Sequence, residues 1–183
     1  MALAGILVVA AVSTLGDFLW YELGTEDRVA TGVLHGIVLL TTVGGVLGAA
    51  AGRLIAGLPL GMAAGLAGAL SYYALVPVIG PAAMIVAWTA LWVVLAVLDG
   101  KLLRRGARSA REVLVRGATA AVGSGLTFYL VVGTLWGRLP TSGQDYLVQL
   151  AAWAFAWAPG LLALTLRSSS VAIAPAPRIP RSG

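Results

Sequence analysis

The chain has 183 residues, 60% of them hydrophobic and only 10% charged, with a mean hydropathy of +0.95. Soluble domains carry about 25% charged residues, so the composition excludes one and indicates an integral membrane protein of about five to seven spans in a single domain. Cysteine is absent, which removes disulfides, thiolate metal sites and cysteine nucleophiles; the net charge of +5 sits between apolar runs and is no nucleic-acid signature.

The first apolar run, 2–21, lacks a basic lead-in and a small-residue cleavage site, so it reads as a retained span rather than a signal peptide. Trp20 and Tyr21 close it in the position of an interfacial aromatic belt. An acidic loop follows with Glu22, Glu26 and Asp27, then Arg28. The second span is 29–51 and the third 54–78, with Pro59 in the first turns of the third. Pro77 to Pro81 reads as a tight turn before a fourth span, 82–98, that contains Trp88 and Trp92. The strongly charged stretch 99–116 leads to a fifth span, 117–136, and a polar turn from Arg138 to Asp145. A sixth span, 146–166, carries Pro159-Gly160 as an expected kink. The fold expected is an all-α bundle of six transmembrane helices over 1–167, with a disordered Ser/Pro/Ala-rich tail over 168–183.

Two glycine ladders lie back to back in the middle of this order. Gly44, Gly48 and Gly52 recur every fourth residue, and so do Gly57, Gly61 and Gly65, with Gly68 beyond. At that spacing a helix carries one bare stripe, and in lipid such a stripe lets two backbones approach closely. The ladders are therefore read as the mutual contact face of spans two and three, which turn near Arg53. The competing reading is Ala/Gly filler from a biased codon pool, which the single Lys beside eleven Arg supports.

Orientation follows from charge. Six spans put Arg53, the six basic residues Lys101, Arg104, Arg105, Arg108, Arg111 and Arg116, and Arg167, Arg178 and Arg181 on one side. Only Arg28 and Arg138 fall on the other, so the positive-inside rule places both termini in the cytoplasm.

Few polar groups lie within the spans. Asp17 and His35 fall at similar depth near the outer ends of spans one and two, as a candidate buried polar pair. Alternatives are a structural hydrogen bond, or Asp17 reaching interfacial water; a proton relay lacks a third ionisable group. Asp99, at the end of span four, either pairs locally with the basic loop or faces a partner protein. The basic residues of that loop recur at three- and four-residue steps, as in an amphipathic helix on anionic headgroups, or else form a plain topogenic loop. Tyr72, Tyr73, Trp88, Thr89, Phe128, Tyr129, Trp153 and Trp157 either line a lipid-facing cleft or serve as core packing and interface anchors. No metal-ligand cluster, G-x-S-x-G, Walker loop or catalytic carboxylate pair is present, and one histidine leaves most acid–base schemes short of parts. No enzyme activity, cofactor or nucleic-acid partner is expected, and transporter-type inverted repeats are not evident.

Several of these segments resemble the Insig proteins, the endoplasmic-reticulum sterol-response regulators. Arg28-Val-Ala-Thr31, with Gly44 thirteen residues after Thr31, is similar to that family's second span, and Asp99 followed by basic residues is similar to its element at the end of span four. Leu126-Thr-Phe-Tyr-Leu-Val131, Thr141-Ser142 and Asp145-Tyr-Leu147 leading to Trp153 resemble its fifth span, outer turn and sixth span. The resemblance covers roughly residues 5 to 165 with sparse identity. It implies six spans with cytoplasmic termini and an amphiphilic lipid, sterol- or diacylglycerol-like, held among the helices. The family's oxysterol-associated glutamine falls at Phe128, and its proline and cysteine pairs before Gly44 are replaced by Leu40 to Val43. The Arg-heavy, Ala/Gly-rich composition suggests a GC-rich bacterium, hence its inner membrane and a ligand such as diacylglycerol. Asp99 matches the family's partner-contacting aspartate by position, although a sterol-sensing partner is not expected in such a host.

The leading reading is thus a non-enzymatic lipid-binding protein with Tyr73, Trp88, Phe128 and Tyr129 as wall residues. One alternative is a small substrate-binding membrane subunit of a modular transporter. Another is a glycine-packed scaffold that oligomerises through its glycine faces.

Overall fold

The computed structural model describes residues 1–22, 27–135 and 143–166, with side chains left aside at 20–22, 132–135 and 143–144. The side chains of the Trp20–Tyr21 belt, most of the acidic loop, Arg138, Thr141-Ser142 and the 168–183 tail lie outside what is described.

Helices α1 (Ala2–Glu22), α2 (Arg28–Ala50), α3 (Leu54–Ile79), α4 (Ala82–Val97), α5 (Ala110–Leu135) and α6 (Gly143–Thr165) make up the chain, and a π-helical segment, Leu98–Leu103, extends α4. Hydrocarbon offers no partner for backbone N–H and C=O groups, so apolar stretches of this length satisfy them internally as helices. All six are long and apolar enough to cross a membrane, and the protein is an all-α, six-helix integral membrane protein. Each helix packs on its neighbours in sequence, and α6 returns to α1, so the bundle is a closed ring.

The tightest seam of the ring is α2 on α3, and glycine makes it. A Cβ placed on Gly44, Gly57, Gly61 or Gly65 would meet backbone of the opposite helix closer than 3.0 Å, the partners being Gly57, Gly44, Leu40 and Gly36 respectively. Gly48 likewise faces the Arg53 carbonyl at 2.7 Å and Gly57 Cα at 3.0 Å. Backbone against backbone at this range brings dispersion and Cα–H···O contacts into play where lipid supplies no hydrophobic drive.

Gly52 departs from this pattern. It lies just beyond α2 at φ +71° with open space around a Cβ, so it packs against nothing. The Arg53 N–H donates to Gly48 O (2.6 Å) and the Gly52 N–H to Ala49 O (3.0 Å), which is a Schellman stop. Gly52 is therefore the left-handed residue that ends α2, not a member of the packing stripe. At the other end of α2, Asp27 Oδ1 caps the helix by accepting from the N–H groups of Val29 (3.0 Å) and Ala30 (2.9 Å).

Two boundaries differ from the sequence reading. Helix α3 continues through Pro77 to Ile79, and the turn is confined to Gly80 (φ 56°) and Pro81. A proline removes one N–H, which a bilayer helix tolerates more readily than a soluble one. Helix α5 starts at Ala110 rather than 117, because Ser109 Oγ accepts from the Glu112 N–H (3.1 Å) in a Ser-x-x-Glu capping sequence.

At the end of the bundle that holds the basic loop, Asp99 takes the local pairing with loop arginines rather than the partner-facing position. Asp99 is 0% exposed; Arg104 Nε lies 3.0 Å from Oδ2, and Arg108 Nη1 pairs with the same oxygen. Arg108 Nη2 also donates to Leu164 O (2.8 Å), and Arg116 Nη1 donates to Ala163 O (2.6 Å) and Leu166 O (2.8 Å). Arg53 Nη1 donates to Leu102 O (2.6 Å). The last turn of a helix leaves carbonyls unpaired and carries partial negative charge, so cations settle there. Arg53, Arg104, Arg108 and Arg116 thus turn inward on Asp99 and on helix ends, while Lys101, Arg105 and Arg111 stay exposed.

Candidate functional site

Inside the ring, in the half away from Asp99 and Arg53, lies a cavity of about 380 Å³ with walls from all six helices. Its volume falls in the range of small-molecule sites, roughly 300–1,000 Å³.

An aromatic cluster runs from its wall, at Trp88 and Phe128, into the core behind, at Trp92 and Trp157. Trp88 of α4 stacks on Phe128 of α5 with ring centroids 4.6 Å apart at 22°. Trp157 of α6 lies 5.0 Å from Trp88, and Trp92 lies 5.5 Å from Trp157. Trp92 and Trp157 are both 0% exposed. Small and polar residues fix them in place. A Cβ on Gly160 would run into the Trp92 ring, so glycine there seats the indole. Trp157 Nε1 donates to Ser13 Oγ (3.0 Å), and the Ser13 hydroxyl donates onward to Val9 O (2.9 Å). Ser124 Oγ accepts from the Gly160 N–H (3.0 Å), next to Pro159. These bonds tie α1 and α5 to α6 beneath the cavity.

The upper wall is polar. Trp153 Nε1 of α6 donates to Asp17 Oδ2 of α1 (2.6 Å). The His35 imidazole lies with its Nδ1–Cε1 edge on Gly16, where any Cβ would collide with it. The Tyr73 hydroxyl rests on Gly32 in the same manner and donates to Arg28 O (3.0 Å). Gly68 contributes open wall, with nothing within 4 Å of a Cβ. The lower wall is apolar, from Leu40, Ala64 and Leu91, while Met84, in the first turn of α4, lines the upper end.

The cavity gathers Tyr73, Trp88 and Phe128 from three different helices, together with Asp17 and His35. Tyr129 is a correction: it does not line the cavity but is 40% exposed, its ring set edge-on to Phe128 at 5.5 Å. Successive helical residues diverge by ~100°, and on α5 it is Phe128 that takes the inward direction. Asp17 and His35 share the cavity, yet no hydrogen bond joins them; the partner of Asp17 is Trp153. Gly32 and Gly36, which make room for Tyr73 and Gly65, lie four residues apart and extend the Gly44–Gly48 register across Leu40; Gly16, which makes room for His35, stands outside any ladder. Among the described residues, no cluster of three His, Cys, Asp or Glu side chains stands ready to hold a metal ion.

Compared with protein-family models, curated proteins and solved structures, the chain finds no match.

Proposed function

We propose that this is a non-enzymatic, Insig-like membrane protein that holds an amphiphilic lipid, sterol- or diacylglycerol-like, in its central cavity. The observation that carries the reading is a closed ring of six helices around one space, apolar below and polar above. That polarity matches a molecule with an apolar body and one small polar end. A bacterial inner membrane is the proposed location, from composition and the family resemblance.

The scaffold alternative loses its surface, because the ladder glycines are occupied by the α2–α3 contact within one chain. The family's partner contact at Asp99 likewise finds no accessible carboxylate in this chain.

The test is native mass spectrometry of purified protein with lipid extraction, run beside Gly68→Leu. Wild type should retain a stoichiometric amphiphile. A Cβ at Gly68 meets nothing within 4 Å, so Gly68→Leu grows from open cavity wall and should lose that lipid, with circular dichroism checking that its helices are retained. A bare wild type, or a water-soluble vitamin-like ligand, overturns the reading in favour of a transporter subunit.

A further inference from the structure

We infer that the groove between α5 and α6 at the basic end of the bundle binds one anionic phospholipid, its phosphate on Arg111 and its acyl chain against Val115 and Leu162. The inference is independent of what the central cavity holds.

The groove has a volume of about 530 Å³ and is lined from Ser109 to Thr119 on α5 and from Leu162 to Leu166 on α6. Ten residues of helix rise about 15 Å, so it runs from the basic loop well into the apolar part of the bundle. All of its lining except the end residues Ser109 and Leu166 falls within segments long and apolar enough to cross a membrane, Ala110–Val131 and Asp145–Thr165. The occupant therefore comes from the bilayer, which favours a lipid over an acidic peptide arriving through water. Val115, one turn beyond Arg111 on the same face of α5, and Leu162 of α6 are both exposed and give an acyl chain its apolar wall.

Charge selects the headgroup. Residues 99–116 hold six basic side chains against two acidic ones, a net charge of +4. Both acids are already engaged, Asp99 by Arg104 and Arg108, and Glu112, which borders the groove, by Arg116 Nε at 2.9 Å and Arg108 Nε at 3.5 Å. Arg116 is committed too, to Glu112 and to the Ala163 and Leu166 carbonyls. Arg111 is not. It borders the groove, is exposed, and forms no hydrogen bond or ion pair with a described residue. Its guanidinium presents a planar fork of donors that matches phosphate oxygens. Ser109 Oγ accepts from the Glu112 N–H, which leaves the hydroxyl proton to donate to a further oxygen. A choline or ethanolamine headgroup would bring its own cation to a place whose uncommitted charges are cations, so a lipid of net negative charge fits best. By the positive-inside rule this end lies in the cytoplasmic leaflet, the one that carries anionic lipid.

The experiment is native mass spectrometry of the full chain in neutral detergent, with dioleoyl phosphatidylglycerol and dioleoyl phosphatidylcholine added at equal concentration. Wild type should carry one phosphatidylglycerol and prefer it by about tenfold, the worth of one charge-assisted hydrogen bond. Arg111→Gln should abolish that preference. Lys101→Gln and Arg105→Gln remove exposed charges of the same loop that do not line the groove, and through a screened field should change it less than about threefold. Val115→Trp, at a position 56% exposed, fills the groove with every charge in place and should weaken binding of phosphatidylglycerol. Equal binding of the two lipids by wild type, a preference that survives Arg111→Gln, or unchanged binding by Val115→Trp overturns the site. An equal loss in Arg105→Gln and Arg111→Gln also overturns it, leaving only diffuse surface charge. Loss of the preference in Gly68→Leu overturns it in favour of the central cavity, which Gly68 lines. Displacement of the lipid by ammonium phosphate, but not by ammonium acetate of the same ionic strength, overturns it in favour of a soluble phosphate anion. A dimer that Val115→Trp dissociates overturns it in favour of a second copy of this chain.

Discussion

Gly61 and Gly68 lie seven residues apart on α3, and replacing each in turn with alanine isolates the energetic role of the glycine stripe. Both changes add the same methyl group to the same helix. Each gains helix propensity of about 1 kcal/mol in the aqueous scale, and that gain cancels in the comparison. The difference is where the methyl goes. At Gly61 it drives into Leu40 O and sits 2.9 Å from Gly44 Cα, backbone that can yield only by moving the helices apart. At Gly68 it meets nothing within 4 Å. Overpacking a fitted interface costs about 1–3 kcal/mol, so Gly61→Ala should be less stable than Gly68→Ala by that amount. Reversible unfolding in detergent micelles, followed by tryptophan fluorescence, measures it, because Trp88, Trp92 and Trp157 report the core. Equal stability of the two variants would refute the claim that α2 and α3 touch backbone to backbone.

Asp99→Asn should destabilise the fold by roughly 3–5 kcal/mol in the same assay, since it removes the carboxylate shared by Arg104 and the buried Arg108 and leaves Arg108 only Glu112, at 3.5 Å, as charge partner. Asp99→Leu combined with Arg108→Met should recover most of that loss; failure to recover would show that the cluster acts through more than the pair. Ser13→Ala should cost less than about 2 kcal/mol, as intramembrane hydrogen bonds average ~0.6 kcal/mol, and should shift Trp157 emission because its Nε1 partner is gone. Tyr129→Leu should leave lipid occupancy unchanged, since that ring stands outside the cavity, and a loss of lipid would contradict its placement.

Much of the architecture is local in origin and was legible in the residue order. Span existence follows from runs of apolar residues, and the α2–α3 seam from four-residue glycine spacing. The start of α5 was also written in the chain, as Ser109-Ala-Arg-Glu112, and was hidden by the charge around it. Gly52 holds the ladder's spacing but not its role, because a helix end converts a packing position into a turn. The inward basic cluster was not legible, since regular spacing of arginines looks the same whether they meet headgroups or helix carbonyls. The site was legible only in part. Tyr73, Trp88 and Phe128 stand out in the sequence as aromatics within or near the ends of spans, and three helices bring them together. The Trp153–Asp17 bond joins residues 136 positions apart, and no periodicity carries information across that distance.

The closed ring has a consequence for the order in which the protein is made. Helices α2 and α3 are sequence neighbours joined by a turn of a few residues, so their glycine seam can form as soon as both have entered the membrane. The seam between α1 and α6 joins segments far apart in the chain, and it awaits the synthesis of α6. Until α6 arrives, the Ser13 and Asp17 side chains lack the indoles of Trp157 and Trp153, and the space at the centre stands open to the bilayer on one side. The nascent chain is therefore a cup with a finished back wall and a missing front. Arrival of α6 closes the ring around the space at its centre.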